Sequence, residues 1–139
     1  MKRVKELGFF KNIREVREFE FGVFYFFDDL VISEMNEGVI FSWKMAEKAM
    51  HAAHQINGNK APVVYISNRI NNYYIMPLDW IKFYRNRAKL NFYSVVGSTQ
   101  GSMSSLILER FFFRKSIPKF TDLEEAITWS LEKLASQKE

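Results

Sequence analysis

The stretch APVVYISNRINNYYIMPLDW, residues 61–80, decides the fold. Pro62 to Ile66 is a short apolar run and reads as a buried strand. Ser67 to Tyr74 is polar and rich in side-chain amides, and reads as a loop. Pro77 then opens a helix, since a proline in the first turn gives up no hydrogen bond. A strand that delivers a polar loop and then a helix is the repeating unit of open α/β sheets. Ligand sites of such sheets gather in the loops at the carboxyl ends of the strands.

Working outward, the same unit recurs. Upstream, Ser42 to Asn57 carries Met45, Ala49, Ala52, Ala53 and Ile56 at helical spacing, with Lys44, Glu47, Lys48, His51 and Gln55 on the other face. Asn57-Gly58-Asn59 supplies the stop. Before it, Phe19 to Phe27 and Leu30 to Asn36 flank the turn signal Asp28-Asp29 and read as an antiparallel hairpin. Downstream, Pro77 to Leu90 reads as a helix with Trp80, Ile81, Tyr84 and Ala88 inward and Lys82, Arg85 and Lys89 outward. Phe92 to Val96 is a strand that ends in Gly97-Ser-Thr-Gln-Gly-Ser102. A helix over 103–113, a short strand over 117–120 and a final helix follow. Thr121 and Glu124 have the spacing of a capping box, and Leu123, Ile127, Leu131 and Leu134 form a stripe.

The resulting order is β-β-α-β-α-β-α-β-α. It predicts an α/β domain with a mixed β-sheet: an N-terminal antiparallel hairpin, then βα units with helices packed on the sheet. Residues 1–18 are a lead-in, 19–135 the domain and 136–139 a tail. A chain of 139 residues suits one domain, which at this size buries roughly 68–70% of its unfolded surface without a disulfide or metal staple. There is no cysteine, so disulfides, thiolate metal sites and cysteine nucleophiles are excluded. Neither a secretory signal nor a membrane span is expected, and the expected setting is the cytoplasm.

Taken together, the leading hairpin, the three βα units, Tyr65-Ile-Ser-Asn-Arg and Val96-Gly-Ser at strand ends, and the ending Thr121-Asp-Leu-Glu-Glu-Ala-Ile-Thr-Trp resemble the SpoIIAA-like, or STAS-like, domains in their small stand-alone form. The resemblance spans most of residues 19–135 and implies a non-enzymatic binding or regulatory role. One departure is informative. Family members that antagonise anti-sigma factors carry an Asp-Ser-Ser-Gly run with a phosphorylated serine, where this chain has Asn71-Asn72-Tyr73-Tyr74-Ile75-Met76-Pro77-Leu78. No Ser or Thr occurs between Ser67 and Ser94, so the phosphoserine switch does not carry over.

The candidate ligand-binding residues are Ser67, Asn68, Arg69, Asn71 and Asn72 from one loop and Gly97, Ser98, Thr99 and Ser102 from the other. If strands 62–66 and 92–96 are neighbours, both loops leave one rim of the sheet. A small anionic or amphipathic ligand would then meet Arg69 as the charge and free amides around it. Against this, asparagines also close turns on their own backbone, and Ser102 also fits an N-cap. The glycine loop lacks the lysine of a nucleotide-binding P-loop.

The helix over 103–113 is apolar on more than one face. Leu108, Phe111 and Phe112 are the candidate interface residues for a protein partner or a second copy, and a docking module is the alternative function.

Charge is uneven: −1 over residues 1–59, +8 over 60–120 and −3 over 121–139. The basic middle suits an anionic partner, but its aromatics fall in core patterns rather than as stacking platforms for nucleic acid. His51 and His54 lack further metal ligands, so no metal or cofactor is expected. Ser94, Ser98, Ser102, Ser104 and Ser105 have no histidine at a strand end to activate them. Asp79 and Glu109 are the only acids of the middle segment, and no catalytic pair emerges.

Overall fold

The computed structural model describes residues 2–58, 63–86, 90–98 and 117–137. The fold is α/β around a mixed six-stranded sheet. Its strands are β1 (Glu15–Phe19), β2 (Gly22–Phe27), β3 (Leu30–Met35), β5 (Val63–Asn68), β7 (Leu90–Val96) and β8 (Lys119–Phe120), side by side in that order. β1, β2 and β3 form an antiparallel meander, and β3, β5, β7 and β8 run parallel. A separate two-stranded parallel sheet joins β4 (Ile40–Phe41) to β6 (Tyr74–Ile75). The helices are α1 (Trp43–Asn57), α2 (Trp80–Arg85) and α3 (Leu123–Gln137).

The hairpin turn falls where Asp28-Asp29 places it. Asp29 adopts φ 58°, a left-handed conformation that Asp tolerates better than most residues, and Phe27 pairs with Leu30 across it. Gly22 lies opposite Met35, where a Cβ would sit 2.7 Å from the Glu34 carbonyl oxygen. Only glycine lets β2 approach so closely. α1 begins at its N-cap Ser42, whose Oγ accepts from Met45 N–H at 3.3 Å, and ends at Gly58 with φ 71°.

Alternation along the strands divides the interior into two cores. One face carries Phe24, Phe26, Val31, Met35, Tyr93 and Val95 and is covered by Ala46, Ala49 and Ala52 of α1 and by Phe83 of α2. The other carries Tyr25, Phe27, Leu30, Ile32, Val64, Ile66 and Val96. It is covered by Leu123, Ala126 and Ile127 of α3 and by Val4 and Leu7 of the lead-in. Phe26, Leu30, Ile32, Val64 and Ile66 are fully buried, each such side chain stabilising the fold by about 1.5–3 kcal/mol.

Several expectations are corrected. The lead-in contains two 3-10 turns, Val4–Glu6 and Gly8–Asn12, and then the edge strand β1, which adds a third antiparallel strand to the expected hairpin. Ser67 and Asn68 belong to β5, not to a loop, because parallel pairing continues to Asn68 opposite Val96. The polar segment after it contains β6. The segment opened by Pro77 is a 3-10 turn leading into the six-residue α2. There Phe83 is buried against Phe41 and Trp43, while Ile81 is 60% exposed. Asp122, not Thr121, caps α3, accepting from Glu124 N–H at 3.1 Å. Leu131 is exposed, and the buried stripe of α3 uses Ala126 and Ser130 with Leu123 and Ile127. No helix among the described residues is long and apolar enough to cross a membrane.

Candidate functional site

β5 and β7 are adjacent and parallel, so their carboxyl ends share one rim. The link is direct: Arg69 N–H donates to the Val96 carbonyl at 2.8 Å. The alternation of β5 then separates the residues that follow one another in sequence. Tyr65, Ser67 and Arg69 project to the α1 face, whereas Ile66 and Asn68 project to the α3 face.

On the α1 face a buried guanidinium meets a group of hydroxyls. Arg69 is only 2% exposed. Its Nε donates to Ser67 Oγ at 3.2 Å, and Nη2 donates to the Tyr93 hydroxyl at 3.2 Å. Its Cζ lies 5.0 Å from the centroid of the Tyr73 ring. The Tyr73 hydroxyl in turn bonds Ser67 Oγ at 2.8 Å. Ser33, opposite Ser67 across the parallel pairing, bonds the Tyr65 hydroxyl, and the Tyr65 and Tyr93 rings lie 5.1 Å apart between centroids. A cation out of water is tolerated only when donors and acceptors are arranged around it. Here β5 contributes Ser67, β7 contributes Tyr93, and the segment entering β6 contributes Tyr73.

On the α3 face the chemistry is anionic and structural. Glu34, 5% exposed, accepts from Val4 N–H at 2.8 Å and from Asn68 Nδ2 at 2.9 Å. Asn68 Nδ2 also reaches the Lys2 carbonyl at 3.1 Å. Burial pushes the Tyr25 hydroxyl up to about 12, assisted by the Glu34 charge and its hydrogen bond. This set ties the lead-in to the sheet.

The other described candidates make backbone contacts or lie at the surface. Asn71 Nδ2 caps β3 through the Met35 carbonyl at 3.0 Å. Asn72 donates its N–H to Glu37 at 2.9 Å, and its carbonyl accepts from Gly38 N–H at 2.8 Å. Gly97 N–H extends the pairing to the Phe120 carbonyl at 2.9 Å, and Ser98 is exposed. Thr99, Ser102, Leu108, Phe111 and Phe112 lie outside the described residues. Of the ligand candidates, then, the structure brings together Ser67 and Arg69 and sends Asn68 to the opposite face.

Sequence reading missed Ser33, Tyr65, Tyr73 and Tyr93. In β5, Tyr65 and Ser67 alternate with Val64 and Ile66, which marks their shared face; Tyr73 precedes β6, and Ser33 and Tyr93 sit among mixed neighbours that mark no such pattern. His51 and His54 are both exposed on the outer face of α1, and no group of three His, Asp or Glu able to hold a metal occurs among the described residues. No protein-family model, curated protein or solved structure matches this chain.

Proposed function

We propose that this chain is a non-enzymatic, STAS-like binding domain of the cytoplasm that takes a small anionic ligand at the carboxyl ends of β5 and β7, with Arg69 as its charged anchor. The observation that carries this reading is the buried Arg69 guanidinium set among the hydroxyls of Ser67, Tyr73 and Tyr93. A guanidinium presents a planar fork that matches carboxylate and phosphate, and tyrosine and serine hydroxyls can join such a shell. Its place at a strand-end rim is where α/β sheets hold ligands. Because Arg69 is almost wholly buried, ligand entry requires the rim to open, so association is slow.

Native mass spectrometry of the purified protein tests this. The expected result is a small-molecule adduct, or, after dialysis, a melting temperature raised by millimolar phosphate or citrate. Arg69→Lys, which keeps the charge and loses the fork, should weaken either signal while circular dichroism shows the fold intact. Neither adduct nor shift in the wild type, or signals unchanged in Arg69→Lys and Tyr93→Phe alike, overturns the reading.

A further inference from the structure

Five large apolar side chains are exposed among the described residues, and four of them belong to one region: Ile40, Tyr74, Leu78 and Ile81. Ile40 and Tyr74 are direct partners across the β4–β6 pairing, turned away from the core that receives Phe41 and Ile75. The chain runs straight on from Tyr74 through the Pro77–Asp79 turn, which sets out Leu78, into α2, which sets out Ile81. The segment is held against β4 and α1. Met76 N–H donates to the Phe41 carbonyl at 2.8 Å, and Trp43 N–H donates to the Asp79 carboxylate at 2.8 Å. A rigid base therefore presents these side chains.

Two features identify what meets them. Leu78 is 89% exposed and Ile81 60%, so they project from the surface and do not line a groove of the kind that receives a partner helix. The same short helix carries Lys82 and Arg85, both exposed; the neighbouring Asp79 gives one carboxylate oxygen to the Trp43 amide and holds the other 4.0 Å from Lys82 Nζ, so two cations stand beside this one acid. Projecting aliphatic side chains flanked by cations and an interfacial tyrosine match the chemistry of an anionic bilayer surface: the apolar tips enter the acyl boundary and the cations remain at the headgroups. We propose that the Ile40, Tyr74, Leu78 and Ile81 ridge, with Lys82 and Arg85, docks this protein on membranes containing anionic phospholipid. The inference stands apart from the Arg69 site.

Co-sedimentation with vesicles of phosphatidylcholine, with and without phosphatidylglycerol, tests it. Binding should be on the order of tenfold stronger to the anionic vesicles and should weaken with added salt. The Leu78→Ser/Ile81→Ser variant should lose binding by a similar factor, and Lys82→Gln/Arg85→Gln should lose the preference for phosphatidylglycerol. Melting temperatures should be unchanged, since these side chains are exposed. Equal sedimentation of the wild type and Leu78→Ser/Ile81→Ser overturns the proposal. So does a wild-type dimer in sedimentation velocity that this variant abolishes and that leaves vesicles unbound, which would assign the ridge to a second copy of the chain.

Discussion

Arg69 donates to the Tyr93 hydroxyl at 3.2 Å, joining the end of β5 to the middle of β7 inside a compartment closed to solvent. Removing the acceptor leaves a charged donor short of one partner. Tyr93→Phe should therefore destabilise the fold by about 1–3 kcal/mol in urea unfolding. Combined with Ser67→Ala, the loss should differ from the sum of the single losses, since both hydroxyls serve one guanidinium. Strict additivity would mean that the two contacts are energetically separate.

Glu34 holds the lead-in through the Val4 amide. Glu34→Ala should cost about 1–3 kcal/mol, because the Val4 N–H and Asn68 Nδ2 are left buried without this acceptor. Amide exchange at Val4 and Leu7 should accelerate before exchange in β5 or β7. Uniform acceleration across the sheet would contradict a local tie.

The Tyr25 hydroxyl titrates at about 12 in the fold against an ordinary value of 10.0. The folded state therefore keeps its proton where the unfolded chain has lost it. Its contribution to stability is complete below pH about 10 and is lost as pH rises through the folded value. Ultraviolet titration compared with Tyr25→Phe should assign Tyr25 a late transition, and Glu34→Gln should move it down only in part, since burial is the leading cause. A Tyr25 ionising with the exposed phenols would refute this.

Gly22 faces the β3 backbone so closely that any Cβ must displace the Glu34 carbonyl or the Met35 Cα, at 2.7 and 2.8 Å. Gly22→Ala should destabilise by about 1–3 kcal/mol through overpacking. Gly8→Ala, where a Cβ meets nothing within 4 Å, is the control and should change stability by less than about 0.5 kcal/mol. Equal melting temperatures for the two variants would exclude the steric account.

Much of the fold was legible because its strands are apolar on alternate or all positions and its turns are marked by Asp28-Asp29, Gly58 and Pro77. β1 was hidden because it is an edge strand. Its charged residues, Glu15 and Arg17 on one face and Glu18 on the other, protect an open edge but read as a solvated lead-in. The candidate site was half legible. Arg69 and Ser67 stood out, but treating residues 67–74 as one loop discarded the alternation that sends Asn68 to Glu34 and Arg69 to Tyr93. Tyr65 and Tyr93 were absorbed into core patterns, since nothing local marks a buried tyrosine whose hydroxyl has work to do.

Glu34 and Arg69 occupy opposite faces of the sheet, each within its own cover. The two ions never neutralise one another, and the β-layer insulates them. Peeling away the amino-terminal segment would hydrate the carboxylate while the guanidinium stayed dry. The molecule can thus yield on one flank without surrendering the charge on the other.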